Sequence, residues 1–133
     1  MQPAIEGGCL CGGTRYRLDE APTRLNDCHC LDCRRSSGAP YVTWGTVPRA
    51  KRRLLSGQLR EIPHADRVRS FAACCGTQLF FADTPDSATV DVTIASLDDP
   101  TAFPPAMAIW TEDRLPWVRL NETLPAYRRS ARE

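Results

Sequence analysis

Apolar and polar positions alternate over short stretches of this chain, and the alternation predicts strands. Residues 14–18 put Tyr16 and Leu18 on one face. Residues 41–44 and 67–71 repeat the pattern, and the run 78–81, Gln-Leu-Phe-Phe, suits a buried strand. The cleanest alternation is at 89–94, with Val90, Val92 and Ile94 facing inward. A last pair of strands is expected near 107–110 and 117–120, carrying Trp110 and Trp117. Helical signals are weak: one turn of helix is expected over Leu31 to Ser37, and Pro100, Pro104 and Pro105 exclude a long helix after Asp99. Eleven prolines and eight glycines cut the chain into short segments, with no repeat or low-complexity linker. The pattern predicts one mainly β domain over residues 1–133 with little helix, ending in a frayed tail from Arg128 to Glu133.

The length, 133 residues, suits a single modest core. Charge changes the picture mainly by exclusion. Lys and Arg total 17 against 16 for Asp and Glu, a net charge of +1, which supplies no field to gather a nucleic acid. The short basic run Arg49, Lys51, Arg52, Arg53 reads as a solvated loop. No apolar run approaches the roughly 20 residues of a membrane span. Residues Met1 to Glu6 have none of the marks of a secretory leader, so a cytoplasmic location is expected. Thiols stay reduced in that compartment, and an odd count of seven cysteines does not close into disulfides.

Those cysteines form three clusters: Cys9-Leu10-Cys11, Cys28-His29-Cys30-Leu31-Asp32-Cys33, and Cys74-Cys75. Cys-x-Cys and Cys-x-x-Cys turns bring two sulfurs together as tetrahedral zinc requires. Gly7-Gly8, Gly12-Gly13 and Gly76 lend those turns freedom to wrap an ion. The middle cluster offers three thiolates and no fourth ligand at ligand spacing, with His29 expected as a spectator. Three protein ligands and one open position describe a reactive zinc, one that favours an incoming thiolate. The alternative is a closed site completed by a distant residue. Trp44, Trp110 and Trp117 are expected in the core rather than in a pocket, and His64 in an exposed loop.

Gly8-Cys9-Leu10-Cys11-Gly12, the run from Cys28 to Gly38, and Phe71 followed by Cys75-Gly76-Thr77 together resemble the glutathione-dependent formaldehyde-activating enzyme family. Leu97-Asp98-Asp99-Pro100 and Leu115-Pro116-Trp117 match its downstream segments, so the resemblance spans about residues 7–127. It implies an Mss4-like, zinc-binding β-sheet fold with one or two Zn2+ per chain. It implies structural ligands at Cys9, Cys11 and Cys75, and an active-site zinc on Cys28, Cys30 and Cys33. The implied partners are glutathione and formaldehyde or another small aldehyde, joined in a carbon–sulfur lyase reaction. Arg34 and Arg35, directly after the cluster, are candidates to pair with glutathione's carboxylates.

The chain departs from the family pattern at two places. The third motif should read Phe-Cys-x-x-Cys-Gly, but here Ala72 replaces its first cysteine and Cys74 stands two residues later. Adjacent cysteines chelate one ion only with distortion. Either Cys74 substitutes as a ligand through a rearranged turn, or water or another side chain completes the site, or the structural zinc is weakened or absent, which is the expectation. Ala108 stands where many relatives carry a histidine. A zinc- or glutathione-binding scaffold without turnover is the alternative function. Thiol redox chemistry at Cys74-Cys75 is a minor one, because a vicinal disulfide is strained.

Overall fold

The computed structural model describes residues 4–131, and the tail positions Arg132 and Glu133 lie outside them. Ten strands form two sheets. The small sheet has the order β1-β2-β5, from β1 (Ile5–Gly8), β2 (Arg15–Leu18) and β5 (Arg52–Ser56). The large sheet has seven strands. Its first members are β3 (Thr23–Cys28), β4 (Val42–Pro48), β6 (Leu59–His64) and β7 (Arg67–Ala72). It is completed by β8 (Gln78–Ala82), β9 (Thr89–Thr93) and β10 (Met107–Ile109). Its order is β10-β3-β4-β9-β8-β7-β6, antiparallel except for the β10–β3 pair. One α-helix, α1 (Leu31–Ser37), follows β3. The mainly β class with little helix is as expected from the sequence.

Alternation explains where each face goes. Val90 and Val92 of β9, Val47 of β4 and Phe80 of β8 point into one core with Tyr16 and Leu18 of the small sheet. Tyr16 meets Phe80 edge to face at 4.9 Å, and its hydroxyl bonds Ser96 Oγ at 2.6 Å. Fully burying such an aliphatic side chain contributes about 1.5–3 kcal/mol. Gly7 is required here: a Cβ would fall 2.5 Å from the Tyr16 hydroxyl oxygen and 2.6 Å from the Ser96 carbonyl. Its role is therefore to let β1 close over Tyr16 rather than to wrap an ion. The other face of the large sheet is the floor of a cleft.

Several expectations need correction. The strand at 41–44 runs on to Pro48 as β4, and Ile94, though buried, belongs to a 3-10 turn after β9. β1 and β3 escaped the pattern because β1 is half glycine and β3 is polar, Thr-Arg-Leu-Asn-Asp-Cys. β5 and β6 escaped because both are edge strands exposed along most of their length, so neither alternates. His64 is exposed but ends β6. The basic run is not a solvated loop: Arg49–Lys51 make a 3-10 turn, and Arg52 opens β5 half-buried with its guanidinium 4.5 Å over Phe80.

Residues 117–120 form no strand, and Trp117 is 70% exposed rather than in the core. Up to residue 131 the C-terminal segment is docked. Trp110 N–H donates to the Arg129 carbonyl, Tyr127 N–H to the Ala108 carbonyl, and Arg128 and Arg129 both pair with Glu112.

Candidate metal centres and the cleft beside one of them

The first and third cysteine clusters meet. The β7–β8 connection is a tight turn in which Gly76 N–H donates to the Ala72 carbonyl and Ala72 N–H to the Thr77 carbonyl. Gly76 sits at φ +81°, a conformation that favours glycine. The turn lifts Cys74 and Cys75 toward the β1–β2 loop that carries Cys9 and Cys11. The four sulfurs all lie within 4.8 Å of one another. Cys9–Cys11 is 3.7 Å, Cys9–Cys74 3.5 Å and Cys11–Cys74 3.3 Å. Zn–S bonds near 2.3 Å in a tetrahedron separate sulfurs by about 3.8 Å, so the set fits such an ion.

This is the arrangement that the alternative of Cys74 substituting through a rearranged turn calls for. Ala72 is buried in the core, and the Cys74 sulfur stands among the four of the group. Thr14 N–H donates to Cys9 Sγ at 3.2 Å, and the Thr77 hydroxyl lies 3.3 Å from Cys75 Sγ. The Thr77 contact, followed by backbone N–H groups, pushes the Cys75 thiol down to about 5. Three of these cysteines are exposed, and none of the four lines the large cleft described below.

The middle cluster stands apart. Cys28 ends β3, Cys30 caps α1 and Cys33 lies in its first turn, so the sequence places the helix inside the cluster rather than after it. The Cys30 sulfur accepts from Cys33 N–H at 3.2 Å. The three sulfurs lie within 4.8 Å of one another, and no further His, Cys, Asp or Glu among the described residues joins them. Cys28 and Cys33 are buried and Cys30 is half-buried. The trio concentrates negative charge on one sulfur: Cys28 first, then Cys30, donate toward Cys33, and Trp44 Nε1–H donates to it at 3.4 Å. Cys33 is pushed down to about 3, and Cys28 is pushed far up by its neighbours' sulfurs and by burial. Such a donor set fits a thiophilic ion with a coordination position to spare.

His29 is placed as a spectator. Its ring is buried 4.9 Å from Tyr41, its Nδ1 finds no partner, and burial lowers its pKa. Ala108, the position expected to carry a histidine in relatives, is buried on the face of β10 opposite the cleft-lining Met107 and Ile109.

The trio opens into a cleft of about 690 Å³, within the range of small-molecule sites. Its floor is the second face of the large sheet. Trp44 and Thr46 come from β4, Thr89 and Asp91 from β9, Phe81 from β8, and Arg67 and Arg69 from β7. The core-facing residues Val90 and Val92 had been legible from alternation, and their outward neighbours on the same strands build this floor. A β-bulge in β3, with Arg24 at φ +52°, adds a further guanidinium to the lining. Asp91 accepts from the Thr46 hydroxyl at 2.7 Å, and burial raises its pKa to about 6. Of the tryptophans, Trp44 is buried yet lines the cleft, and Trp110 does so half-buried. Arg34 and Arg35 are on α1 but line no part of the cleft.

A family profile described as "Glutathione-dependent formaldehyde-activating enzyme" matches residues 4–113, which include both cysteine centres. The chain belongs to this family. An uncharacterized lyase of Schizosaccharomyces pombe is 30% identical over 84 residues, 62% of this chain. That match covers 60% of the yeast protein, so the chain spans somewhat less than two thirds of its relative's length. The crystal structure of a Rhodobacter sphaeroides protein shares the fold, with a TM-score of 0.52, 18% identity, and coverage of 92% of this chain and 98% of that one. Membership agrees with free thiols at all seven cysteines of this family member. None of its described helices is long and apolar enough to cross a membrane.

Proposed function

We propose that this protein holds zinc at both cysteine centres and joins the thiol of glutathione to formaldehyde at the one in the cleft. The observation that carries the reading is the contrast between the centres: three sulfurs line the large cleft, and the four-sulfur set does not. Zinc bound by Cys28, Cys30 and Cys33 would supply a lowered pKa for an incoming thiol.

The chain's own groups supply the rest. Trp44 and the Cys33 backbone N–H donate to sulfur and fix the trio's geometry. The cleft holds the peptide part of the thiol and leaves room beside its sulfur for a one-carbon carbonyl compound. The thiolate sulfur forms a bond to the carbonyl carbon, the C=O pair moves to oxygen, and that oxygen takes a proton from water. The product is S-hydroxymethylglutathione. The reverse reaction cleaves a carbon–sulfur bond, which is the sense in which the family's chemistry is that of a lyase. A cytoplasmic setting, rich in reduced thiols, suits this chemistry.

Formaldehyde adds to thiols unaided, so the test is acceleration above that background. Nuclear magnetic resonance exchange between free and S-hydroxymethyl glutathione should speed up with added protein and return to background with Cys30→Ser. Equal exchange with and without the wild-type protein would leave a scaffold without turnover.

A further inference from the structure

We propose that Arg69 is the carboxylate anchor of the cleft and selects thiols that carry a carboxylate one residue beyond the one bearing the sulfur. The proposal rests on the cleft reading above and adds the residue that recognises the thiol's carboxylate. A continuous wall leads from the trio to this residue. Trp44 Nε1 lies 3.4 Å from Cys33 Sγ, the Trp44 and Phe81 rings are 5.9 Å apart, and the Arg69 guanidinium carbon is 4.8 Å over Phe81. Strand pairing enforces the wall: Arg69 is opposite Phe81, Phe81 opposite Asp91, and Asp91 opposite Thr46, two residues from Trp44. The glutathione sulfur projects from the middle residue on its own side chain. Each carboxylate is therefore reached across that side chain and one further residue, several ångströms in all and comparable in order of magnitude with the path along those rings.

Arg69 is also held in place, and its charge acts on Cys33 of the trio. Its Nη1 donates to Gln78 Oε1 at 3.2 Å, and Phe81 stacks beneath it, so its orientation is fixed. No described carboxylate forms an ion pair with it, although a guanidinium carries five N–H donors in a fork that matches a carboxylate. The other cleft arginines are less suited. Arg24 and Arg67 are exposed, whereas Arg69 is half-buried. Arg34 and Arg35, the candidates from sequence, lie outside the lining. Alternation in Arg67-Val68-Arg69 is the signal that would have found the anchor, since Val68 is buried and its neighbours face the cleft.

The test is calorimetric affinity of the full-length zinc-containing protein for glutathione, glutathione diethyl ester and 2-mercaptoethanol. Wild type should bind glutathione at least about tenfold tighter than the diester, an ordinary margin for a charge-assisted bidentate pair. Arg69→Gln should bind glutathione and diester alike, with 2-mercaptoethanol binding unchanged. Arg69→Lys, which keeps the charge but loses the fork, should restore part of the preference, distinguishing recognition from general damage. A preference retained in Arg69→Gln, or absent in wild type while thiols still bind, overturns the proposal alone. Failure of wild type to bind any of the three thiols overturns both the proposal and the cleft reading.

Discussion

The two cysteine centres use the same atoms and differ in what surrounds them. The Cys9, Cys11, Cys74, Cys75 set sits at the meeting of two turns, with four sulfurs mutually in reach and outside the lining of the large cleft. The Cys28, Cys30, Cys33 set is folded into a strand end and a short helix, with Trp44 donating to it and a cleft of about 690 Å³ in front. Four ligands saturate a tetrahedral ion and leave it only a structural task, whereas three leave a place for a reactant. Ligand count and access together, rather than cysteine chemistry alone, separate a staple from a reaction centre.

Substitutions that exchange these roles test the contrast. Cys30→Ser should have the largest effect on activity, a loss of at least about a hundredfold in protein-dependent rate, read against the uncatalysed reaction. The melting temperature should move little, because β3 and α1 remain packed around Val42 and Trp44. Cys74→Ser should do the opposite. Structural zinc contributes folding free energy, and its loss should lower the melting temperature by about 10 °C or more while the cleft still accelerates the reaction. If Cys74→Ser left the melting temperature unchanged, the staple role would be wrong.

Smaller effects sharpen the environment of the trio and its cleft. Trp44→Phe removes the N–H donated to Cys33 and should speed zinc loss to a chelator roughly tenfold, the usual weight of such an outer partner. A colorimetric chelator reads that rate, and the four-sulfur centre supplies the internal control. Asp91 gives an effect that appears only with pH. Burial raises its pKa from 3.8 to about 6, so between those values the native state binds more protons than the unfolded one. Stability from this group is therefore full below about pH 4 and is lost as pH rises through 6, on the order of 2–3 kcal/mol. Asp91→Asn should match wild type at pH 4 and exceed it in urea denaturation at pH 7.5. The same difference at both values would mean that Asp91 does not titrate in this range.

Sequence carried much of this organisation and missed specific parts for physical reasons. Alternation at 89–93 located β9 because one of its faces meets a core, and the brief run after Cys30 located α1. β5 and β6 were illegible because edge strands exposed along most of their length bury neither face consistently, and β1 because a glycine-rich strand shows no pattern. The cysteine grouping was legible from spacing. The fourth sulfur was not, since spacing alone made adjacent cysteines look unfit to share an ion, whereas the 72–77 turn aims both at Cys9 and Cys11. The cleft's arginines were missed because nearness in sequence favoured Arg34 and Arg35, while sheet pairing delivers Arg69 from far along the chain.

The most direct test of the two-centre account is the zinc content of freshly purified, reduced protein for wild type, Cys30→Ser and Cys74→Ser. The account expects about two ions per chain in wild type and about one in each variant. About one ion in wild type, unchanged by Cys74→Ser, would mean that the four sulfurs converge without holding a metal, and the comparison between a staple and a reaction centre would fall.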